Sequence, residues 1–165
     1  MKWPNCLTIP RAPDFVIGGA DDPYLRRWWI IPRNRFFNIY LHQFLRDDDD
    51  RALHGHPWAF NVSILLRGGY VEVAPAYMPL YHDYVGTTPT VRRRRRIGIP
   101  CFRFGSAPHR VELLRDEAGR VLPVWTLFIT GPNVRQWGFY CPHGWRHWRD
   151  FTADDGATVG RGCDD

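Results

Sequence analysis

The stretch Leu53-His54-Gly55-His56-Pro57-Trp58 carries the strongest structural signal in this sequence. In an extended strand, residues i and i+2 lie on the same face about 6.6 Å apart, so His54 and His56 can each direct a ring nitrogen toward one ion, about 2.1 Å away. Pro57 has no N–H to donate to a sheet, which is typical of a strand end. The stretch predicts part of a metal site at the end of a strand, although a short polar pair of this kind also arises by chance.

The 14 prolines and 15 glycines divide the rest of the chain into short segments rich in aromatic and β-branched residues. Such segments favour strands, and the frequent breaks leave little room for long amphipathic helices. The predicted strands are 24–31, 35–45, 62–66, 70–73, 91–97, 101–104, 109–114, 121–130 and 134–140. Gly68-Gly69 predicts a tight hairpin between two of them, and residues 116–119 predict another turn. Eight or more short strands indicate a mainly β fold, a jelly roll or barrel.

The length of 165 residues fits one domain with a single core. We expect a barrel domain with an N-terminal strand extension over residues 1–151, and a disordered tail over the small, polar residues 152–165. Trp145 and Trp148 have a helical spacing, which predicts one or two helical turns within 142–151. The proline- and tyrosine-bearing segment 75–89 is long enough for a lid or a strand insertion.

The net charge of +5 includes five consecutive arginines, Arg92 to Arg96, which could contact phosphates. No helix-turn-helix, zinc-finger or ribonucleoprotein motif accompanies them, so the sequence argues against a nucleic-acid partner. Alternate arginines of a strand point to opposite faces, and the acidic cluster at 47–50 could offset some of their charge.

The expected location is the cytoplasm. No segment approaches the roughly 18 apolar residues of a membrane span, and the N-terminus lacks the apolar core of a signal peptide. The four cysteines are far apart with no C-x-x-C pair, and in that compartment they are expected to be reduced thiols.

A wider set of residues resembles the cupin superfamily, whose members are small jelly-roll barrels. In that family an H-x-H pair is followed by Glu and then Gly, and a second motif supplies a third His after a strand that Gly opens. The matching residues here are His54, His56, Gly68, Gly98 and His109, within residues 53–114. The segments His54 to Trp58, Leu66 to Tyr70, Ala107 to Arg110 and Trp137 to Phe139 are also similar to a group of uncharacterised bacterial and phage cupin-like proteins.

The resemblance implies a double-stranded β-helix barrel with one divalent transition metal on His54, His56 and His109. Iron(II) is favoured, and zinc, nickel or manganese would suit the same nitrogens. The sequence departs from the family at Asn61, which replaces the motif Glu, and at Asp48, Gly105 and Leu113, which lie at or beside other motif positions. An amide is a poor ligand for a transition metal, so Asn61 is predicted to hydrogen-bond to a ligand or to act as a weak fourth ligand.

Residues near the predicted site in sequence are candidates for binding a substrate. Tyr70, Arg103 and Arg110 could hold a carboxylate or phosphate. His42 could line the cavity, but a structural role is the more frequent one for a histidine on a strand. Strand alternation predicts that Glu72 and Glu112 point outward, and that Trp58, Phe60, Trp125 and Phe128 form the barrel core.

These features favour a metal-binding cupin that acts on a small-molecule substrate as an iron(II)-dependent, dioxygenase-like oxidoreductase, since a dication on three neutral imidazoles favours an anionic metabolite. One alternative is a non-catalytic cupin that binds or senses a small ligand, which the missing motif Glu favours. Another is a metal-free sugar-nucleotide epimerase or isomerase, in which His109 would work with Tyr140 or Tyr70. A homodimer through edge strands also stays open.

Overall fold

A computed structural model describes residues 9–48, 52–77 and 88–163 of the chain. The fold is mainly β, as the sequence predicts. Its strands are β1 (Phe15–Ile17), β2 (Leu25–Trp29), β3 (Asn38–Phe44), β4 (Leu53–His54), β5 (Phe60–Arg67), β6 (Tyr70–Pro75), β7 (Thr90–Arg94), β8 (Pro100–Phe104), β9 (Arg110–Leu113), β10 (Val124–Thr130), β11 (Gly138–Cys141) and β12 (Gly144–His147). The helix α1 (Trp148–Phe151) follows β12, where one or two helical turns were predicted. No helix in the described part of the chain is long and apolar enough to cross a membrane.

Antiparallel pairing joins the strands into three sheets. The largest has the order β1-β2-β3-β10-β5-β8, and the smaller ones have the orders β12-β11-β4 and β7-β6-β9. Burial alternates along the central strands: Asn38, Tyr40 and His42 are buried on β3, and Asn61 and Ser63 on β5. Because alternate residues of a strand face the same side, the interior of the fold combines apolar and polar side chains.

Gly68-Gly69 connects two sheets and does not form the predicted hairpin. β5 pairs with β10 and β8, whereas β6 pairs with β7 and β9. Gly68 has a φ of +80°, and a Cβ there would lie 2.8 Å from the Pro123 carbonyl oxygen. The turn needs glycine because the chain passes close to another backbone segment as it changes sheets. The turn predicted at 116–119 is present, where the Asp116 N–H donates to the Arg120 carbonyl.

Two glutamates pair with arginines of the run, whereas the described ion pairs of Asp47 and Asp48 are with Arg115 and His54. Arg92 is paired with Glu112, and Arg95 with Glu72. The outward orientation predicted for Glu72 is wrong, because its side chain is only 2% exposed. Glu72 lies on β6, the central strand of its sheet, and its side chain points inward. Burial of this negative charge is tolerated because Arg103 also donates to the carboxylate.

The segment after α1 is ordered through residue 163, where the sequence predicted a disordered tail. Phe151 is fully buried and stacks on Phe139, with 3.6 Å between the ring centroids. The chain then turns back, and Thr152 forms an antiparallel bridge with Val159. The buried Phe151 ring and the bridged turn after it hold this segment against the barrel, and composition alone did not reveal these contacts.

Cys141 and Cys163 form a disulfide, so the expectation of reduced thiols is wrong for these two residues. The bond joins β11 to the last described residue of the C-terminal segment. Cys101 is a free thiol. Cys6 lies outside the described residues.

Reduction of the disulfide is expected to destabilise the fold, because closing a loop over a sequence separation of 22 removes entropy from the unfolded chain. The expected loss is roughly 3 kcal/mol. Urea unfolding of the wild type with and without dithiothreitol, and of Cys163→Ser, measures it. Cys101→Ser is the control and should keep the wild-type midpoint without reductant. Equal midpoints for oxidised wild type and Cys163→Ser would contradict the stabilising role.

Candidate metal centre

Backbone pairing brings together the three histidines that the sequence singles out. His54 ends β4, and His109 immediately precedes β9. The His54 N–H donates to the His109 carbonyl at 3.0 Å, and the His109 N–H donates back to the His54 carbonyl at 3.1 Å. The His56 N–H donates to the Gly105 carbonyl at 2.9 Å. Backbone hydrogen bonds therefore hold both histidines of the H-x-H pair in place. We call His54, His56 and His109 the three-histidine site.

The three imidazoles are close enough for one ion. One ring nitrogen from each lies within 4.8 Å of the others, and the ring centroids are 5.0 to 5.3 Å apart. His54 Nδ1, His56 Nε2 and His109 Nδ1 are buried and have no hydrogen-bond partner among the described residues. Buried polar atoms are rarely left unpaired, so this donor set fits a transition metal that takes imidazole ligands.

The surroundings keep His56 and His109 neutral, which metal binding requires. Burial holds the pKa of His56 well below its usual range, and the charges of His54 and Arg103 lower it further. Burial also holds the pKa of His109 well below its usual range, followed by the charge of Arg103. At neutral pH both rings therefore present a lone pair.

Asp48 stands beside the site at the position where the cupin motif has a glycine. Its Oδ2 lies 4.0 Å from His54 Nδ1 and accepts a hydrogen bond from the Val111 N–H at 2.8 Å. The carboxylate is therefore fixed by the backbone of β9. It lies on the side of the His54 ring that carries Nδ1, the nitrogen without a hydrogen-bond partner among the described residues.

The three-histidine site forms part of the wall of a cavity of about 390 Å³. The wall is mainly apolar and aromatic. Its aromatic members are Phe15, Tyr24, Phe44, Trp58, Phe128, Trp137, Phe139, Trp148 and Phe151. The C-terminal segment contributes Thr152 and residues 156–159 to the same wall. A cavity of this size and lining suits a small molecule with an apolar body.

Aromatic contacts set the orientation of the His56 ring. Trp58 stacks on it with a centroid distance of 5.1 Å, and Trp137 lies 6.5 Å away. Phe128 approaches the same ring from the side at 6.2 Å. Of the aromatic residues predicted as core, Trp125 and Phe128 are buried, while Trp58 lines the cavity and Phe60 stacks on Phe102.

Two further polar residues line this cavity, and the sequence analysis did not assign either to the site. His42 is 3% exposed and lies in the cavity wall, although a structural role was favoured for it. Arg27 lies opposite His42 on the neighbouring strand, and its Nε donates to His42 Nε2 at 2.8 Å. The signal that could have found Arg27 is its i+2 spacing from Leu25, which places both side chains on the face of β2 that lines the cavity.

The predicted substrate-binding residues do not line the cavity. Tyr70 is 2% exposed in a core cluster, and its hydroxyl lies 3.4 Å from Ser63 Oγ. Arg103 is buried in an ion pair with Glu72. Arg110 pairs with Glu112 in a separate charged depression.

Asn61 is fully buried within the barrel, and neither atom of its amide has a partner among the described residues. Its register neighbours are Arg103 on β8 and Thr130 on β10. The roles predicted for it, as a weak ligand or as a partner of a ligand, stay predictions.

His143 and His147, the other described histidines, do not line the cavity. His143 is exposed, as predicted. His147 is half-buried and its Nε2 lies 2.9 Å from Gln136 Oε1, whereas a surface position was predicted. His82 and most of the segment 75–89 lie outside the described residues.

Solved structures with a similar arrangement share little sequence with this chain. Iron(II) HppE is 15% identical, with a TM-score of 0.49 over 75% of this chain and 60% of that one. A double-stranded β-helix protein from Klebsiella pneumoniae is 9% identical, with a TM-score of 0.49 over 76% of this chain and 90% of that one. An HTH_3 family transcriptional regulator from Vibrio cholerae is 12% identical, with a TM-score of 0.42 over 70% of this chain and 55% of that one.

This chain therefore spans little more than half of the length of the regulator and of HppE. No protein-family model and no curated protein matches the sequence. Because the TM-scores are below 0.5, the activities of these proteins are not transferred to this chain. The chain's own three antiparallel sheets agree with the mainly β jelly-roll fold that the sequence predicts, and a backbone bridge joins the H-x-H pair to the third predicted histidine.

Proposed function

We propose that this protein is a metal-dependent cupin oxidoreductase of the iron(II) dioxygenase type, acting on a small anionic metabolite. The observation that carries the proposal is the position of the three-histidine site in the wall of a mainly apolar cavity. Neutral nitrogen ligands suit iron(II), zinc, nickel and manganese, so metal content is part of the test. When bound, such an ion supplies a Lewis-acidic centre with free coordination positions, and iron adds redox chemistry.

The chain's own residues would position the substrate and exclude water. Phe128, Trp137 and Phe139 surround the histidines with apolar surface. Expulsion of water from such a site strengthens the electrostatic interactions inside it. Trp58 would hold His56 in one orientation through ring stacking, so that the ligand nitrogens stay close together.

The two alternative functions differ in their support. The hypothesis of a metal-free epimerase needs a tyrosine that works with His109, but neither Tyr70 nor Tyr140 lines the cavity. The hypothesis of a non-catalytic ligand-binding protein is favoured by Asn61, since a neutral amide stands where the cupin motif has a carboxylate. Catalytic turnover distinguishes the oxidoreductase from this ligand-binding protein.

Oxygen uptake tests the proposed reaction. The iron(II)-loaded protein is supplied with a panel of small thiols, diketones and apolar carboxylic acids in an oxygen-electrode cell. We expect substrate-dependent uptake with at least one member of the panel, and its loss in His109→Ala. Stoichiometric iron without uptake across the panel would contradict the oxidoreductase and favour the ligand-binding candidate.

Metal content provides an independent prediction. Protein purified without a His tag is expected to carry about one transition-metal ion per chain, as three imidazole ligands allow. His54→Ala and His109→Ala should each lose most of it, because two nitrogens bind far more weakly than three. His143→Ala, which changes an exposed histidine, should keep the wild-type content. Elemental analysis measures all four proteins, and retention of metal in both site variants would contradict the assignment.

The stability of the metal-free protein should fall as the pH falls. Burial lowers the pKa of His42, His56 and His109 in the folded state, so the unfolded chain binds more protons below its own pKa of about 6.5. The stabilisation is therefore present above that pH and is lost below it. Each such histidine contributes at most about 1.4 kcal/mol per pH unit.

Thermal unfolding of EDTA-treated protein between about pH 8 and pH 5 measures this dependence. His42→Gln removes one of the three groups and should give a shallower decline than the wild type. His143→Gln is the matched control and should keep the wild-type slope. A melting temperature that does not change across this range would show that the buried rings are not held neutral.

A further inference from the structure

The guanidinium of Arg27 is a cation in the cavity wall with no carboxylate partner among the described residues. Three other arginines of the barrel, Arg92, Arg95 and Arg103, are each paired with a glutamate. None of the ion pairs in the described part of the chain includes Arg27. Its described contacts are one hydrogen bond to His42 Nε2 and the face of the Tyr40 ring, whose centroid lies 4.9 Å from the guanidinium carbon.

Arg27 is positively charged at neutral pH even though it is largely removed from water. Burial lowers its pKa to about 10, and the nearby Tyr40 opposes that shift. Its side chain is half-buried because it faces the cavity. Keeping a charge in such a place costs free energy unless an opposite charge arrives, so the site favours an anion.

His42 fixes the direction of the guanidinium. Because its Nε2 accepts the hydrogen bond from Arg27, the neutral ring carries its proton on Nδ1, which is buried. The ring is held between Tyr40 and Phe128, at centroid distances of 5.8 and 4.9 Å. The acceptor that positions Arg27 is therefore itself held in place by aromatic contacts.

Apolar surface connects this pair to the three-histidine site. Phe128 contacts both rings, at 4.9 Å from His42 and 6.2 Å from His56. Arg27, His42 and the three histidines line the same cavity of about 390 Å³. Asp48 is an acid in the same wall, but its carboxylate already accepts from the Val111 N–H beside His54. The cavity wall thus combines a cationic group, an aromatic surface and the three-histidine site.

We propose that Arg27, positioned by His42, binds the carboxylate of the substrate, and that the substrate is a carboxylic acid with an apolar, aromatic-sized body. The guanidinium fork matches the two oxygens of a carboxylate, and the aromatic wall matches the body. The description of the bound molecule as a substrate rests on the proposed function. The proposal that Arg27 forms a carboxylate-binding site does not depend on that function.

The test compares two ligands of the same shape on the full chain. Isothermal titration calorimetry measures 3-phenylpropionate and its neutral amide, 3-phenylpropionamide, on zinc-loaded and on EDTA-treated protein. We expect the wild type to bind the carboxylate about tenfold or more tightly than the amide in both forms, since a hydrogen bond to a charged group contributes more than a neutral one. Equal affinity for the two ligands in the wild type, or no binding of the carboxylate, would overturn the proposal.

Variants locate the preference on one residue. Arg27→Gln should lose the carboxylate preference, so that both ligands bind equally weakly, and Arg27→Lys should keep part of it because the charge remains. Arg26→Gln is the matched control, since Arg26 lies next to Arg27 on the opposite face of β2 and does not line the cavity. A preference that survives Arg27→Gln would overturn the proposal, and the wild-type comparison of the two ligands decides it even if that variant does not fold.

Failure of this site and failure of the proposed function give different results. A carboxylate preference that depends on Arg27, with no oxygen uptake by iron-loaded protein, would support the site and contradict the oxidoreductase. Oxygen uptake with no carboxylate preference would overturn the role of Arg27 and leave the oxidoreductase in place.

Discussion

The two backbone hydrogen bonds between His54 and His109 are the constraint on which the candidate site depends. A reciprocal pair of this kind fixes the distance between two strands and the directions of the side chains that they carry. Gly105 completes the frame, because its carbonyl accepts from His56 and a Cβ on it would lie 1.8 Å from the Trp58 carbonyl oxygen. The positions of the three imidazoles are therefore set by main-chain geometry, and a metal ion would bind to a site that is already assembled.

The charges inside the barrel follow from the same geometry. Glu72 lies on a central strand and faces inward, where it accepts from both Arg95 and Arg103. One carboxylate between two guanidiniums leaves a positive surplus, and the charge of Arg103 helps to lower the pKa of His56 and His109. Arg27 adds another cation in the cavity wall. The positive charges of Arg103 and Arg27 oppose protonation of buried His56 and favour an anionic ligand.

The fold and the histidines could be predicted from sequence because both depend on local patterns. Alternation along β3 and β5 marks the strands, and the H-x-H spacing marks two nitrogens on one face. The third histidine came from a family resemblance, which spacing alone does not provide. The hairpin predicted at Gly68 was wrong because a glycine pair shows that the chain turns, and does not show which sheet the next strand joins.

Arg27, Glu72 and the disulfide could not be predicted, because each is defined by a partner that is distant in sequence. An arginine in a strand is usually solvated, and only the register with β3 places Arg27 against His42. The C-terminal segment is the same kind of case. Its polar composition favours disorder, yet the Ala157 carbonyl accepts from the Gly18 N–H, and Cys163 is bonded to β11. Residues 156–159 thereby become part of the cavity wall, so a segment held by its contacts with Gly18 and β11, together with its own local hydrogen bonds, contributes to the ligand space.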